Sequence, residues 1–163
     1  MACCSQTPPE SLPWAEANGL FYTRDLTRAQ EEIPFTIVLP SYVPDLRTDP
    51  PPPIIVGPLK EYQDSDSVQI DIVYGVDLGN ELLGAIYIIE SSSPITPPDP
   101  AFNPQYEIIE IGGKSVTKWE SPPESARYKI AFVFSHGNIY FSVEFDYFPS
   151  KDEAIKVIES MIN

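Results

Sequence analysis

Between Val68 and Tyr74 the chain alternates. Val68, Ile70, Ile72 and Tyr74 fall on one phase, Gln69 and Asp71 on the other. A two-residue period of this kind belongs to a strand with one buried face. The next apolar run, ELLGAIYIIES from Glu81, is oily on both phases. That predicts a central strand with both faces at least partly covered. GVDLGN, residues 75–80, reads as the turn of a hairpin between the two. Tyr106–Ile111 and Lys114–Trp119 flank Gly112-Gly113, a pair that suits a two-residue hairpin turn. RYKIAFVF and NIYFSVEFDYF flank Ser135-His136-Gly137 and predict a third hairpin. Ile130, Phe132 and Phe134 share one face of its first strand. Ile139, Phe141, Val143, Phe145 and Tyr147 share one face of the second, with Glu144 and Asp146 on the opposite, wet face.

After the last hairpin the period changes. Ala154, Ile155, Val157, Ile158, Met161 and Ile162 form a helical stripe, and Ser150 followed by Glu153 has the spacing of a capping box. The stripe must be buried, so this helix is expected on one face of the sheet. LTRAQEEI predicts a shorter helix ending at Ile33, because the residue before Pro34 is biased away from helical geometry. Phe35–Leu39 then reads as a short strand closed off by Pro34, Pro40 and Pro44, a pattern that suits a sheet edge.

Proline marks the rest. The chain holds 19 prolines among 163 residues, and none falls between Leu59 and Ser93, between Gln105 and Ser121 or between Glu124 and Phe148. Proline cannot donate to a sheet ladder, so those windows are where central strands can form. DPPPPIIVGP and SPITPPDPAFNP are left as loops or edges. The expected fold is therefore α+β: an antiparallel sheet of about five to seven strands with a C-terminal helix packed on one face. Residues 1–18 are expected to be a flexible tether and 19–163 a single domain.

An apolar content of 42% with 12% aromatic residues is enough for a real core. A net charge of −14 with scattered basic residues argues against a nucleic-acid partner and against direct docking on an anionic membrane. No run approaches the roughly 18 apolar residues of a membrane-spanning helix. The two cysteines, Cys3 and Cys4, are adjacent in the N-terminal tail, so they staple nothing distant.

Met1-Ala2-Cys3 resembles the end of a bacterial lipoprotein signal, where a small residue precedes the cysteine that receives lipid, and SQTPPESLP resembles the tether that follows. Cys3 is thus the lipid-anchor candidate. Two further motifs extend the resemblance over roughly residues 26–162. One is a phenylalanine-led strand, Phe35 to Leu39, running into Pro40-Ser41-Tyr42-Val43-Pro44. The other is an apolar hairpin leading to a helix with Ser150, Glu153, Ile155, Ile158 and Ser160. With these the chain resembles a family of bacterial extracytoplasmic lipoprotein domains of unknown function, found also in envelope-stress and sporulation-associated proteins. Such domains are distantly similar to the half-barrel of lipoprotein carriers. The long proline loops, Pro50–Pro53 and Pro94–Pro104, depart from that pattern. The resemblance implies an extracytoplasmic location and carries no catalytic residues.

The candidate chemistry is sparse. Gly113-Lys114-Ser115 mimics the end of a phosphate loop, but Ile108 stands where its first glycine belongs and a strand follows. Asp64-Ser65-Asp66 lacks the spacing of a calcium loop. His136 is the single histidine, expected exposed at a turn tip, and makes a poor zinc or triad partner. Glu107/Glu110 and Glu144/Asp146 are pairs expected by chance among 24 acidic residues. No catalytic residue, metal or cofactor is expected. The aromatic row Phe132, Phe134, Phe141 and Phe145 has two readings: core beneath the terminal helix, or an apolar wall holding lipid. The leading functional expectation is a monomeric, non-catalytic, membrane-tethered module that binds a protein or envelope component. The alternative is a carrier or sensor of an apolar ligand.

Overall fold

A computed structural model describes residues 20–44, 52–57, 68–77, 83–96, 107–121, 129–146 and 150–163. The cysteines, the 1–18 segment, Asp64-Ser65-Asp66, Tyr147 and most of the proline loops lie outside the described residues.

The sheet is open, antiparallel and eight-stranded, one strand beyond the upper end of the expectation. Its strands are β1 (Phe21–Thr23), β2 (Ile54–Gly57), β3 (Gln69–Asp77), β4 (Leu83–Ser91), β5 (Glu107–Ile111), β6 (Lys114–Glu120), β7 (Lys129–His136) and β8 (Ile139–Asp146). Their order is β1-β2-β3-β4-β8-β7-β6-β5. Two four-stranded meanders therefore meet where β4 pairs with β8, with Ile88 opposite Val143. The two strands the periodicity missed, β1 and β2, are short. Ile54–Gly57 is only four residues long and sits directly after Pro53, too short to show a period. Local turn chemistry sets the hairpins. Gly112 and Gly113 have φ of 56° and 75°, the left-handed pair that a tight primed turn requires. On the turn side β7 runs two residues further than expected, to His136, and β8 begins one residue later, at Ile139, so Gly137-Asn138 makes the turn and His136 pairs with Ile139 at the strand end.

One face of the sheet is the core. Ile70, Ile72, Ile86, Ile88, Ile130, Phe132, Phe141, Val143 and Phe145 on it are at most 1% exposed. Three pieces cover this face side by side. Helix α1 (Leu26–Glu31) contacts β1 and β2, and helix α2 (Lys151–Ile162) contacts β5 and β7. Helix α1 is capped by Asp25, whose carboxylate accepts from the Thr27 amide at 2.8 Å. Helix α2 is capped by Ser150, whose hydroxyl accepts from the Glu153 amide at 3.2 Å. The return half of that capping box is not made, because the Glu153 carboxylate accepts from Tyr42 and Lys156 instead. As expected, α2 buries Ala154, Val157, Ile158, Met161 and Ile162.

The third piece corrects the sequence reading. Residues 35–43 are not an edge strand; they run as an extended strap whose Phe35, Ile37, Val38, Leu39 and Val43 pack on the core. Side chains replace the ladder that the strap lacks. Gln30 donates to the Phe35 carbonyl at 2.6 Å and accepts from the Ile37 amide at 2.9 Å. The Glu90 carboxylate accepts from the Val38 amide at 3.1 and 3.2 Å. The Ser160 hydroxyl accepts from the Tyr42 amide at 3.2 Å. Pro34 and Pro40 have no amide to satisfy. The prolines thus serve a strap on the sheet as well as they would serve an edge, by shortening the list of donors that need partners.

Candidate functional site

The strap, the β1–α1 corner and the β2–β3 end of the core face enclose a cleft of about 500 Å³. Leu39, Pro40 and Val43 form its strap wall, Ile54, Ile72 and Tyr74 its floor, and Leu26 and Pro52 its flanks, with Arg24 and Ser41 adding polar groups. That volume lies within the range of small-molecule sites, and its mostly apolar lining with a few polar groups is typical of them.

The elements explain why the cleft lies here. Beneath α2 the long side chains of Val157, Ile158 and Met161 fill the space above β5–β8. Helix α1 has only six residues and buries only Ala29, so the neighbouring end of the sheet is covered by a small side chain and a thin strap.

Glu90 is the chemical oddity of this region. It follows Ile86 and Ile88 on the inward phase of β4, lies between Ile70 and Phe141 in register, and has no exposed surface. Burial pushes its carboxyl up to about 8, against the opposing pull of the Val38 amide. Tyr74, on the cleft floor, is pushed up to about 12 by burial and then by the charge of Glu90. The oily run ELLGAIYIIES predicts a covered strand without marking its last acidic residue as buried. The signal was available: an acid on the phase of Ile86 and Ile88 points inward.

The aromatic row is brought together, away from the cleft. Phe132 and Phe145 meet edge to face with centroids 5.7 Å apart, and Phe134 stacks on Phe141 at 4.9 Å. All four are 0–4% exposed. None of them lines the cleft. Cys3, the lipid-anchor candidate, lies outside the described residues.

The remaining candidates separate. Glu107 faces Lys118 across β5–β6 on the core side, whereas Glu110 faces Ser115 on the other side, so the two do not form a pair. Lys118 is 3% exposed and binds Glu107 at 2.6 Å and Glu120 at 3.5 Å. Burial opposes its charge, yet the hydrogen bond and charge of Glu107 carry its ammonium above the ordinary value. Glu144 is half-buried and ion-paired with Lys129, and Asp146 is 2% exposed, so the wet-face expectation fails for Asp146. His136 is half-buried rather than exposed, with its Nδ1 enclosed and without a hydrogen bond. Lys114 opens a strand after a tight turn and has no helix N-terminus behind it. Among the described residues no three His, Cys, Asp or Glu side chains converge as metal ligands, and no helix is long and apolar enough to cross a membrane. No protein-family model, curated protein or solved structure matches the chain.

Proposed function

We propose that this chain is a non-catalytic binding module, tethered at the outer side of a bacterial membrane through lipid on Cys3, and that it takes an apolar ligand into the cleft beneath the strap. The cleft carries the reading: about 500 Å³ of mostly apolar wall held open beside a filled core. Beside it, the tail motif Met1-Ala2-Cys3 and the proline-bearing segment that follows support the tether. The −14 charge keeps the domain off an anionic bilayer surface, which fits a module held near a membrane by a leash.

The neutral dye Nile red is the first probe. The protein should bind it saturably at one site, and Leu39→Trp, which puts a large ring on the strap wall of the cleft, should weaken binding at least tenfold with an unchanged unfolding midpoint. Absence of saturable binding, or full affinity in the variant, ends the cleft reading. The tether is tested separately. The gene product recovered from membranes should carry a thioether-linked diacylglycerol on Cys3 by mass spectrometry, and Cys3→Ser should release it from the membrane fraction. An unmodified Cys3 removes the anchor and leaves the cleft untouched.

A further inference from the structure

We propose that residues 35–43 are a pH-set latch over the cleft, fastened by the Val38 amide donating to the Glu90 carboxyl group and released when that group ionises. The proposal rests on the reading of the cleft as a ligand site and adds the regulation of that site.

Among the described residues the strap is held at three places. Gln30 brackets its start through Phe35 and Ile37, and Ser160 and Glu153 hold its end through Tyr42. Val38, between them, is fastened to Glu90 on β4. The wall residue Leu39 follows immediately, so a strap that lifts at Val38 opens the cleft. The end fastenings are pinned by neutral groups or by exposed ones. The middle fastening alone sits on an acid with no exposed surface.

That placement gives the latch its sign. With the strap down, an ionised Glu90 would lie between Ile70 and Phe141, where burial opposes its charge and only the Val38 amide, among the described residues, eases it. The strap brings no charged side chain between Phe35 and Val43. Gln30 of α1 is neutral, and the Tyr42 hydroxyl is engaged by Glu153 at the far end. From β3 Glu90 faces Ile70; Tyr74, four residues along the same strand face and itself an acid, feels the charge of Glu90, and Arg24 lines the cleft beside Tyr74. Among the described residues a carboxylate at Glu90 gains the Val38 amide alone, whereas a lifted strap lets water reach it. Protonation therefore favours the closed strap and ionisation the open one. The pull of burial on Glu90, up to about 8, has the same direction. Linkage limits the effect to a tenfold change in the closed-to-open ratio per pH unit, between the open-state and closed-state values of Glu90.

Hydrogen exchange on the full chain, corrected for intrinsic amide rates, reads the latch directly. Protection of the Val38 amide should fall at least tenfold from pH 6 to pH 8 and level off above. Glu90→Gln, which keeps an acceptor for Val38, should hold its protection across that range. Gln30→Ala should lower protection at Ile37 by the same factor at every pH and leave the slope at Val38 intact. Nile red dissociation should quicken with pH in the wild type in parallel with the lost protection. A Val38 protection that ignores pH, or one that falls equally in the wild type and Glu90→Gln, overturns the latch. If Glu90→Gln does not fold, the titration of the Glu90 side-chain carboxyl followed by NMR in the wild type decides: a Val38 slope that tracks it supports the latch, and one that does not overturns it. Opening without any bound dye supports the latch and overturns the cleft reading, so the two fail separately.

Discussion

Between pH 5 and pH 8 the wild-type protein should lose on the order of 4 kcal/mol of folding stability, and Glu90→Gln should remove most of that loss. The sign follows from where the proton sits. In the unfolded chain Glu90 ionises near its ordinary 4.5, but in the folded protein burial holds it protonated up to about 8. Across that interval the folded state binds the extra proton, so stability falls as pH rises and flattens above the folded value. Three and a half pH units at about 1.4 kcal/mol each give roughly 5 kcal/mol as an upper bound. Asp71, raised by burial and partly restored by the Gln69 amide, adds to the same trend. Glu107 and Glu153 act oppositely. Lys118 holds the first below the ordinary carboxylate range, and Lys156 and Tyr42 the second, so their contributions are lost only as pH falls below about 4.5. Chemical denaturation at pH 5, 6.5 and 8 isolates Glu90 from these. Parallel pH dependence in the wild type and Glu90→Gln would show that another group carries the slope.

Phe132→Ala should cost about 3–5 kcal/mol, the range for truncating a fully buried aromatic side chain. Phe132 has no exposed surface, sits on β7 in register with Val143 of β8 and Lys118 of β6, and meets Phe145 edge to face. Helix α2 packs on this side of the sheet, so the ring is closed in from above as well. The void left by alanine is framed by the backbone of three paired strands, which cannot collapse into it, so the cost belongs in the upper half of the range. Against a typical total of 5–15 kcal/mol, such a loss brings a domain close to unfolding. The urea midpoint of the variant measures it. The same variant separates the two readings of the aromatic row. A core role predicts lower stability with unchanged Nile red affinity at a temperature where the variant is folded. A ligand wall at the row would show the reverse, weaker binding with little change in midpoint.

The hairpins were legible because their signals are local. The alternation of Ile70, Ile72 and Tyr74 and of Phe141, Val143 and Phe145 needs only a sheet with one buried face, and Gly112-Gly113 needs only the backbone conformation of its turn. The terminal helix was legible for the same reason: its stripe and the Ser150 cap lie within four turns of chain. Beyond these elements the same logic fails in identifiable places. Ile54–Gly57 is too short for a period to emerge. Asp146 follows the polar phase of β8, yet burial at a strand end depends on what lies over it, and the phase of the strand carries no such information.

The strap and Glu90 mark the boundary most sharply. Pro34, Pro40 and Pro44 rule out a central strand over Phe35–Leu39. They could not tell whether the segment would pair at an edge or lie across a face, because both choices spare proline its missing donor. What decided it was the arrival of Glu90 and Ser160, from β4 and α2, at amides 52 and 118 residues away, beside the local bracket that Gln30 of α1 makes at Ile37. The chain's own pattern thus determined which segments are strands, which are helices and which face of each is oily. Only the packed structure decided what covers that face, how completely, and that an acid on β4 is sealed beneath a strap beside a cleft. Periodicity is a property of neighbours along the backbone, whereas cover, solvation and charge depend on groups that meet only after the chain has folded.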